Sequence, residues 1–190
     1  MNDGLWQRCR AQTRHFLQSY TNGSLKKSRN GAKLTAMLSK KCKYAIHALV
    51  HMAKKPEEKF LIKDISEACN IPKKFLETIL LDLKRAGILG SKAGKGGGYT
   101  LRRDPSEVNL AEVVRLFDGA IAAVPCATYK FYERCDECVD EVTCSVRHAF
   151  LEVRNATVEM MKSDTLEKLV KNEAKLKIKA QKAPVRKKEQ

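Results

Sequence analysis

The 190-residue sequence lacks several features that would assign it to common protein classes. It has no apolar run of the roughly eighteen residues that a membrane-spanning helix needs. Residues 1–36 contain no continuous apolar stretch, which argues against a secretory signal. The glycines at 96–98 are not followed by the Lys-Ser/Thr pair of a P-loop. We therefore expect a cytoplasmic protein without a phosphate-cradling nucleotide loop.

No catalytic constellation is apparent either. The four histidines are scattered. His47 and His51 are one helical turn apart, but no Glu follows His47 as a metalloprotease motif requires. A packed or surface pair is the simpler interpretation. The sequence therefore predicts that the protein is not an enzyme.

Cysteine is plentiful, and most of it is clustered. Without a secretion signal, clustered thiols more often bind metal or undergo redox chemistry than form structural disulfides. Thiolates bind zinc or iron–sulfur clusters, usually four to a site, and the four candidates here are Cys126, Cys135, Cys138 and Cys144. A zinc ribbon has two Cys-x-x-Cys pairs, whereas this chain has one. The spacing leaves a 2Fe–2S cluster, zinc and a redox-active dithiol open, with His148 as a possible further ligand.

The net charge of +15 is unevenly distributed. Residues 37–104 carry fifteen Lys and Arg against seven Asp and Glu, whereas residues 105–170 carry seven against twelve. A basic region beside an acidic one indicates that only the first binds a polyanion. We expect four parts: a disordered basic arm or mis-assigned start over 1–36, a DNA-binding domain over 37–104, a cysteine-containing sensor loop and dimerisation helix over 105–170, and a disordered basic tail over 171–190.

Apolar periodicity predicts three helices in the basic region. Ser39 is a suitable N-cap for the first, which Pro56 ends. A short second helix covers 62–69, and a third begins at Pro72 and ends at Gly87. Two adjacent helices joined by a tight turn, the later with a polar outer face, indicate a helix-turn-helix.

A β-hairpin is predicted directly after the third helix. Short strand patterns at 88–92 and 99–102 enclose a glycine-rich turn that contains Lys95. The predicted fold is mostly α with a small β-hairpin wing: a winged helix-turn-helix followed by a long dimerisation helix.

The third helix is the candidate for the DNA major groove, which admits one α-helix. The first helix is expected to contact the backbone and the wing to enter the minor groove. The predicted DNA-binding residues are Lys40, Lys41, Lys43, Lys73, Lys74, Glu77, Thr78, Lys92, Lys95, Gly97 and Tyr99.

The acidic region contains two further predicted helices. Asn109 is expected to cap the first, over 110–118, with Glu112 at the reciprocal position of a capping box. A long helix begins at Cys144, and apolar residues recur along it at intervals of four and three, as in a coiled coil. The predicted dimer seam is Val146, Phe150, Val153, Thr157 and Met160. Packing of this seam within one chain is the alternative.

Residues 37–170 resemble a known family, the bacterial winged-helix regulators that include IscR, NsrR and CymR (the Rrf2 family). The resemblance rests on Leu38-Ser39, Tyr44-Ala45, Ile71-Pro72, Phe75-Leu76, Leu80 to Leu83, Gly87-Ile88-Leu89, Gly94, Gly97-Gly98-Tyr99, Leu101, Cys126 and Cys144. It implies a homodimeric transcription factor, usually a repressor. Cluster-binding members carry three cysteines at regular intervals; by position, Cys126 or Cys135, then Cys138, then Cys144 would match.

This chain departs from that pattern. It has an additional cysteine and a long first interval, and Arg147 stands where one cluster-binding member has a histidine ligand. The resulting hypothesis is a homodimeric DNA-binding regulator whose affinity depends on a cysteine-ligated 2Fe–2S cluster or on thiol redox state. The alternative is a winged-helix protein with a structural zinc site that acts mainly through protein partners.

Overall fold

The computed structural model describes residues 38–182 except residues 95, 130 and 137. The predicted arm over 1–36 and the last part of the predicted tail, 183–190, lie outside the described residues. The elements are α1 (Lys40–Ala53), α2 (Ile62–Cys69), α3 (Lys73–Arg85), β1 (Leu89–Lys92), β2 (Gly98–Leu101), α4 (Leu110–Asp118), a 3₁₀ turn (Pro125–Ala127), α5 (Ser145–Ser163) and α6 (Leu166–Lys182). The predicted mostly helical winged-helix fold with a long following helix is confirmed.

Local capping chemistry explains where the first and fourth helices begin. The Ser39 hydroxyl accepts a hydrogen bond from the Cys42 amide at 3.0 Å, and the Asn109 side chain accepts one from the Glu112 amide at 3.0 Å. The reciprocal half of the predicted capping box is not formed. The Glu112 carboxylate instead accepts a 2.6 Å bond from the Arg103 guanidinium, since a charged donor makes a stronger hydrogen bond than a backbone amide.

The core lies among α1, α2, α3 and the hairpin. Its apolar side chains come from one face of each helix, as the periodicity predicts. The largest fully buried side chains are Leu49, Met52, Ile65, Ile71, Leu76, Ile79, Leu80, Leu83, Ile88, Leu89, Val108 and Leu166. This core holds α3 in place and leaves its opposite face to solvent.

The hairpin is a two-stranded antiparallel sheet in which Leu89 pairs with Leu101 and Lys92 with Gly98. Tyr99 is also joined to Phe60 by reciprocal backbone hydrogen bonds of 2.8 and 2.9 Å, which attach the wing to the segment before α2. A Cβ at Gly97 would lie 2.2 Å from the Lys92 carbonyl oxygen. Only glycine therefore fits this position of the turn without moving the backbone.

The last helix corrects the predicted start of a disordered tail at residue 171. Helix α6 continues to Lys182 and packs on α1. Leu166 is fully buried in the core, and its amide bonds to the Val108 carbonyl at 2.9 Å. Farther along, Glu173 pairs at 2.9 Å with Lys54, the residue that follows α1. These contacts order a lysine-rich segment whose composition alone is typical of a solvated tail.

Within the described ranges, no helix combines the length and the apolar character needed to cross a membrane.

Candidate DNA-binding surface and cysteine segment

Helix α3 presents one polar face to solvent. Lys73, Lys74, Glu77 and Thr78 are all exposed, whereas Leu76 and its apolar neighbours on the other side are fully buried. The first two lie at the helix N-terminus, where free backbone amides also favour phosphate. The arrangement matches the insertion of a helix into a major groove by its N-terminal turns.

The Thr78 hydroxyl is already used within the helix. It donates a 2.7 Å hydrogen bond to the Phe75 carbonyl, and the Phe75 ring in turn makes an edge contact with Tyr44, with ring centroids 5.7 Å apart. A bond from this hydroxyl to a base would require the bond to Phe75 to break. Of the groups on this face, the lysine ammonium groups are the stronger candidates for direct contact.

Lysines of α1 differ in what they contact. Lys40 and Lys43 are exposed. The Lys41 ammonium instead lies 2.7 Å from an Asp82 carboxylate oxygen on α3 and 5.4 Å from the centre of the Phe117 ring on α4. Lys41 thus joins three helices, a structural role that its place in a basic run did not indicate.

The wing residues also divide into two kinds. Lys92, the last residue of β1, is exposed, and Lys95 lies outside the described residues. Gly97 and Tyr99 are half-buried, and the Tyr99 ring packs against the core. Gly97 and Tyr99 therefore shape the wing and attach it to the core. The lysines of the wing, Lys92 and Lys95, are the candidates for contact with DNA.

One carboxylate that no sequence pattern singles out connects α4 to the start of the winged helix. Asp118, at the end of α4, accepts a 2.9 Å bond from the Ser39 amide at the start of α1. Burial, and then the nearby Asp118 charge and hydrogen bond, raise the pKa of the Cys42 thiol to about 12. Cys42 is therefore a protonated core residue and not a reactive thiol.

Two of the four clustered cysteines are in contact. Cys126 is buried in the 3₁₀ turn, and the Cys135 sulfur lies 3.7 Å from its sulfur. Two ligands of one tetrahedral ion with metal–sulfur bonds of about 2.3 Å are about 3.8 Å apart. The Cys138 amide donates to the Cys135 carbonyl at 3.1 Å, which closes a turn around the Cys-x-x-Cys pair. The Cys126–Cys135 pair therefore has the spacing of two ligands of one metal.

Cys144 has a different position. It is the N-cap of α5, and its sulfur accepts a 3.4 Å hydrogen bond from the Arg147 amide. The Arg147 guanidinium donates to the Cys126 carbonyl at 3.1 Å, so it connects the start of α5 to the 3₁₀ turn. His148 is 76% exposed and lies 3.9 Å from a Glu152 oxygen.

The predicted four-cysteine site is thus only partly assembled. Among the described residues, no group of three or more Cys, His, Asp or Glu is arranged to hold a metal ion. Of the four cysteines, Cys126 and Cys135 have the separation of two metal ligands. Cys138 is joined to Cys135 by a backbone hydrogen bond. Cys144 lies at the start of α5, which Arg147 links to the Cys126 carbonyl.

Helix α5 exposes the seam that the sequence predicts. Val146, Val153 and Met160, each separated by seven residues, are 62%, 56% and 69% exposed. Phe150 and Thr157, which alternate with them, are half-buried. Within its own chain α5 therefore leaves an apolar stripe in contact with water.

Comparison with known proteins agrees with this geometry. The model of the Rrf2 family, described as an iron-dependent transcriptional regulator, matches residues 38–172. An Rrf2-like putative HTH-type transcriptional regulator of Rhodobacter capsulatus is 39% identical over 138 residues, which are 70% of this chain and 92% of that relative. The HTH-type transcriptional regulator NsrR of Bacillus subtilis is 32% identical and covers 68% of this chain, with 86% of its own length matched.

The fold is shared with a solved structure as well. CymR, the global cysteine regulator of B. subtilis, superposes with a TM-score of 0.60 at 27% identity, over 71% of this chain and 96% of CymR. The exposed polar face of α3, the wing and these matches agree. The chain therefore belongs to the Rrf2 family, and it is a winged-helix DNA-binding transcriptional regulator rather than an enzyme.

Proposed function

We propose that the protein acts as a cytoplasmic homodimeric repressor. Each subunit would bind one operator half-site, and the state of the cysteine segment would set the affinity for DNA. The observation that carries the DNA-binding part is the face of α3 formed by Lys73, Lys74, Glu77 and Thr78, which is exposed while the rest of the helix is anchored in the core. Lys40 and Lys43 of α1, with Lys92 and Lys95 of the wing, would add backbone contacts.

A second subunit is proposed to cover the stripe on α5. Burying a Val or Met side chain contributes about 1.5–3 kcal/mol, so Val146, Val153 and Met160 together favour association with an apolar partner. A second copy presents the same stripe, as a two-fold symmetric interface requires. Two copies joined there would present two α3 helices, and such dimers bind half-sites about 34–36 Å apart.

The cysteine segment is proposed to be the sensor. Cys126, Cys135, Cys138 and Cys144 would hold a 2Fe–2S cluster, with a zinc ion or a dithiol–disulfide pair as the alternatives. A bound cluster would make the segment responsive to iron supply and oxidants. Cys126 and Cys135 already have a suitable spacing.

Cys144 is the residue that would couple the sensor to the dimer. Its sulfur caps α5 through the Arg147 amide, and Arg147 also holds the Cys126 carbonyl. A metal-bound Cys144 thiolate would keep accepting the Arg147 amide, whereas disulfide formation at Cys144 would weaken this cap, because a disulfide sulfur carries less negative charge. Loss of a Ser, Thr, Asp or Asn N-cap costs a helix about 0.5–2 kcal/mol, and the effect of a sulfur cap is smaller because sulfur is a weaker acceptor. The first turn of α5, which carries Val146 of the dimer seam, would then change its stability with the state of the thiols.

The test is the absorbance and metal content of the full chain purified without oxygen, together with DNA binding by fluorescence anisotropy. We expect visible absorbance and bound iron that are lost in Cys126→Ala and Cys135→Ala, and retained in Cys69→Ala, which changes a cysteine outside the segment. DNA affinity should differ between the metal-loaded protein and the two segment variants. Equal affinity in every variant and redox condition would remove the sensor but leave the DNA-binding proposal intact.

A second candidate is a structural zinc site in a protein that acts through partners. It is favoured by the exposed aromatic side chains Tyr129, Phe131 and Tyr132, which lie in the cysteine segment. Stoichiometric zinc without iron, and DNA affinity that is insensitive to oxidation, would support this candidate over the sensor.

A further inference from the structure

A cavity of about 240 Å³ lies between the end of α4, the segment that follows the 3₁₀ turn and the middle of α5. Arg115 of α4 and Arg154 of α5 both line it, together with Thr128 and apolar or aromatic side chains. None of its lining residues is acidic, and none is a cysteine. We call it the Arg115–Arg154 cavity.

The positive charge in this cavity is not balanced by the protein groups described. The Arg154 guanidinium lies 3.8 Å from the centre of the Tyr129 ring and donates a hydrogen bond to the neutral Asn155 side chain at 2.7 Å. Neither Arg115 nor Arg154 has a carboxylate within ion-pair distance among the described residues. Arginine forks match carboxylates and phosphates in geometry. Two guanidinium groups that line one cavity therefore favour the binding of an anion there.

We propose that the Arg115–Arg154 cavity binds a small organic anion. Arg154 and Arg115 hold its carboxylate or phosphate group. Its apolar body packs against Ile121 and Val158, which also line the cavity. The volume corresponds to about eight water molecules at about 30 Å³ each. That suits a compact metabolite, and the apolar walls favour a carboxylate with a hydrophobic body over inorganic phosphate.

The position of the cavity suggests what the ligand does. It joins α4, which packs on α1 of the winged helix, to α5, which carries the proposed dimer seam. A bound anion would connect the two and so alter how the DNA-binding domain is held relative to the dimer helix. This regulatory consequence rests on the proposed dimeric regulator, whereas binding of the anion does not.

The binding test uses the full chain, in the absence of DNA, and three probes: sodium benzoate, sodium phosphate and neutral benzamide. Amide chemical shifts of Gly119, Ala120 and Ile121 report on the cavity during titration at millimolar concentrations. We expect saturable shifts with benzoate, weaker ones with phosphate, and none with benzamide, which has the same body without the charge.

Variants assign the binding to the two arginines. Arg115→Gln and Arg154→Gln should each weaken benzoate binding by roughly ten-fold or more, the effect of losing one charged hydrogen bond. Arg102→Gln removes the same charge from an exposed side chain outside the cavity, and it should leave the affinity unchanged.

Three results would overturn the proposal. The first is that neither anion shifts these amides. The second is that the anions bind equally well to both arginine variants, which would place the binding elsewhere. The third is that the arginine variants alter only subunit association, because the arginines then serve a carboxylate of the second copy. Saturable binding of phosphate alone, lost in both arginine variants, would support the site and assign it a phosphorylated ligand. Because no DNA is present, each of these outcomes is independent of the proposed operator binding.

Discussion

The winged-helix region and the region from α4 to the end of α5 differ in how far each completes its own structure. Helices α1, α2 and α3 each bury an apolar face in one core, although Phe75 and Leu81 of α3 are 37% and 41% exposed. Helix α5 has Val158 as its buried residue and leaves Val146, Val153 and Met160 exposed, and the cysteine segment exposes Tyr129 and Phe131. The first region is organised around a core of its own, whereas the second exposes apolar side chains on α5 and in the cysteine segment.

The two regions should differ most in thiol chemistry. Because its pKa is raised to about 12 and its side chain is fully buried, the Cys42 thiol stays protonated and inaccessible at pH 8. We expect Cys42 to resist alkylation of the native protein by iodoacetamide, while the exposed Cys135 is modified in the metal-free reduced protein. Mass spectrometry of tryptic peptides measures both. In urea the contrast should vanish; its persistence there would mean that burial is not the cause.

The second largest difference between the two regions should be the loss of stability that a single substitution causes. Leu80→Ala removes a fully buried side chain of α3, and the cavity left behind should lower the free energy of unfolding by about 2–5 kcal/mol. Val153→Ala, on the exposed stripe of α5, should lower it by less than about 0.5 kcal/mol when the protein is dilute enough to be monomeric. Urea denaturation followed by circular dichroism compares the two. Equal losses would show that α5 has a core of its own.

Self-association should depend on the exposed stripe. Val153→Asp would place a charge in the proposed subunit interface, and it should weaken dimerisation by about 2–4 kcal/mol, or roughly thirty- to a thousand-fold. Glu152→Lys changes the neighbouring residue, which is outside the stripe, and should have little effect. Sedimentation equilibrium measures both dissociation constants. If wild type is a monomer at high concentration, the stripe has another partner.

The smallest expected effect is the loss of DNA affinity when a single lysine is replaced. Lys73→Ala should weaken operator binding by about 1 kcal/mol and reduce the slope of log K against log salt concentration by about 0.9, because one phosphate contact is lost. Lys63→Ala, an exposed lysine of α2 that is outside the proposed surface, is the matched control.

A substitution of Lys41 tests whether this lysine has a structural role or contacts DNA. Lys41→Ala breaks the ion pair with Asp82, so it should lower stability while leaving the salt slope unchanged. A reduced slope in this variant would show that the Lys41 side chain leaves Asp82 to contact DNA.

Much of the winged helix could be predicted from local signals. Ser39 and Asn109 cap their helices as expected, the break after α2 falls at Asn70, which adopts a left-handed backbone, and α2 has the predicted bounds. These features depend on residues a few positions apart, and such interactions are visible in the sequence. The role of Lys41 was not visible, because its partner Asp82 is far away along the chain.

The candidate sites show the same division. The four cysteines are evident from their clustering, but that Cys126 lies beside Cys135 while Cys144 caps α5 depends on how the loop folds. Arg115 and Arg154 are ordinary helix residues in the sequence. Only the packing of α4 against α5 places both of them at one cavity.

By itself the sequence determined the helix periods, the caps, the glycine turn of the wing and the polar face of α3, because each follows from the chemistry of near neighbours. The tertiary structure alone decided that α6 returns to pack on α1, that Glu112 binds Arg103, and that two arginines share a cavity. These outcomes depend on which surfaces of distant segments fit together, and no local pattern encodes that fit.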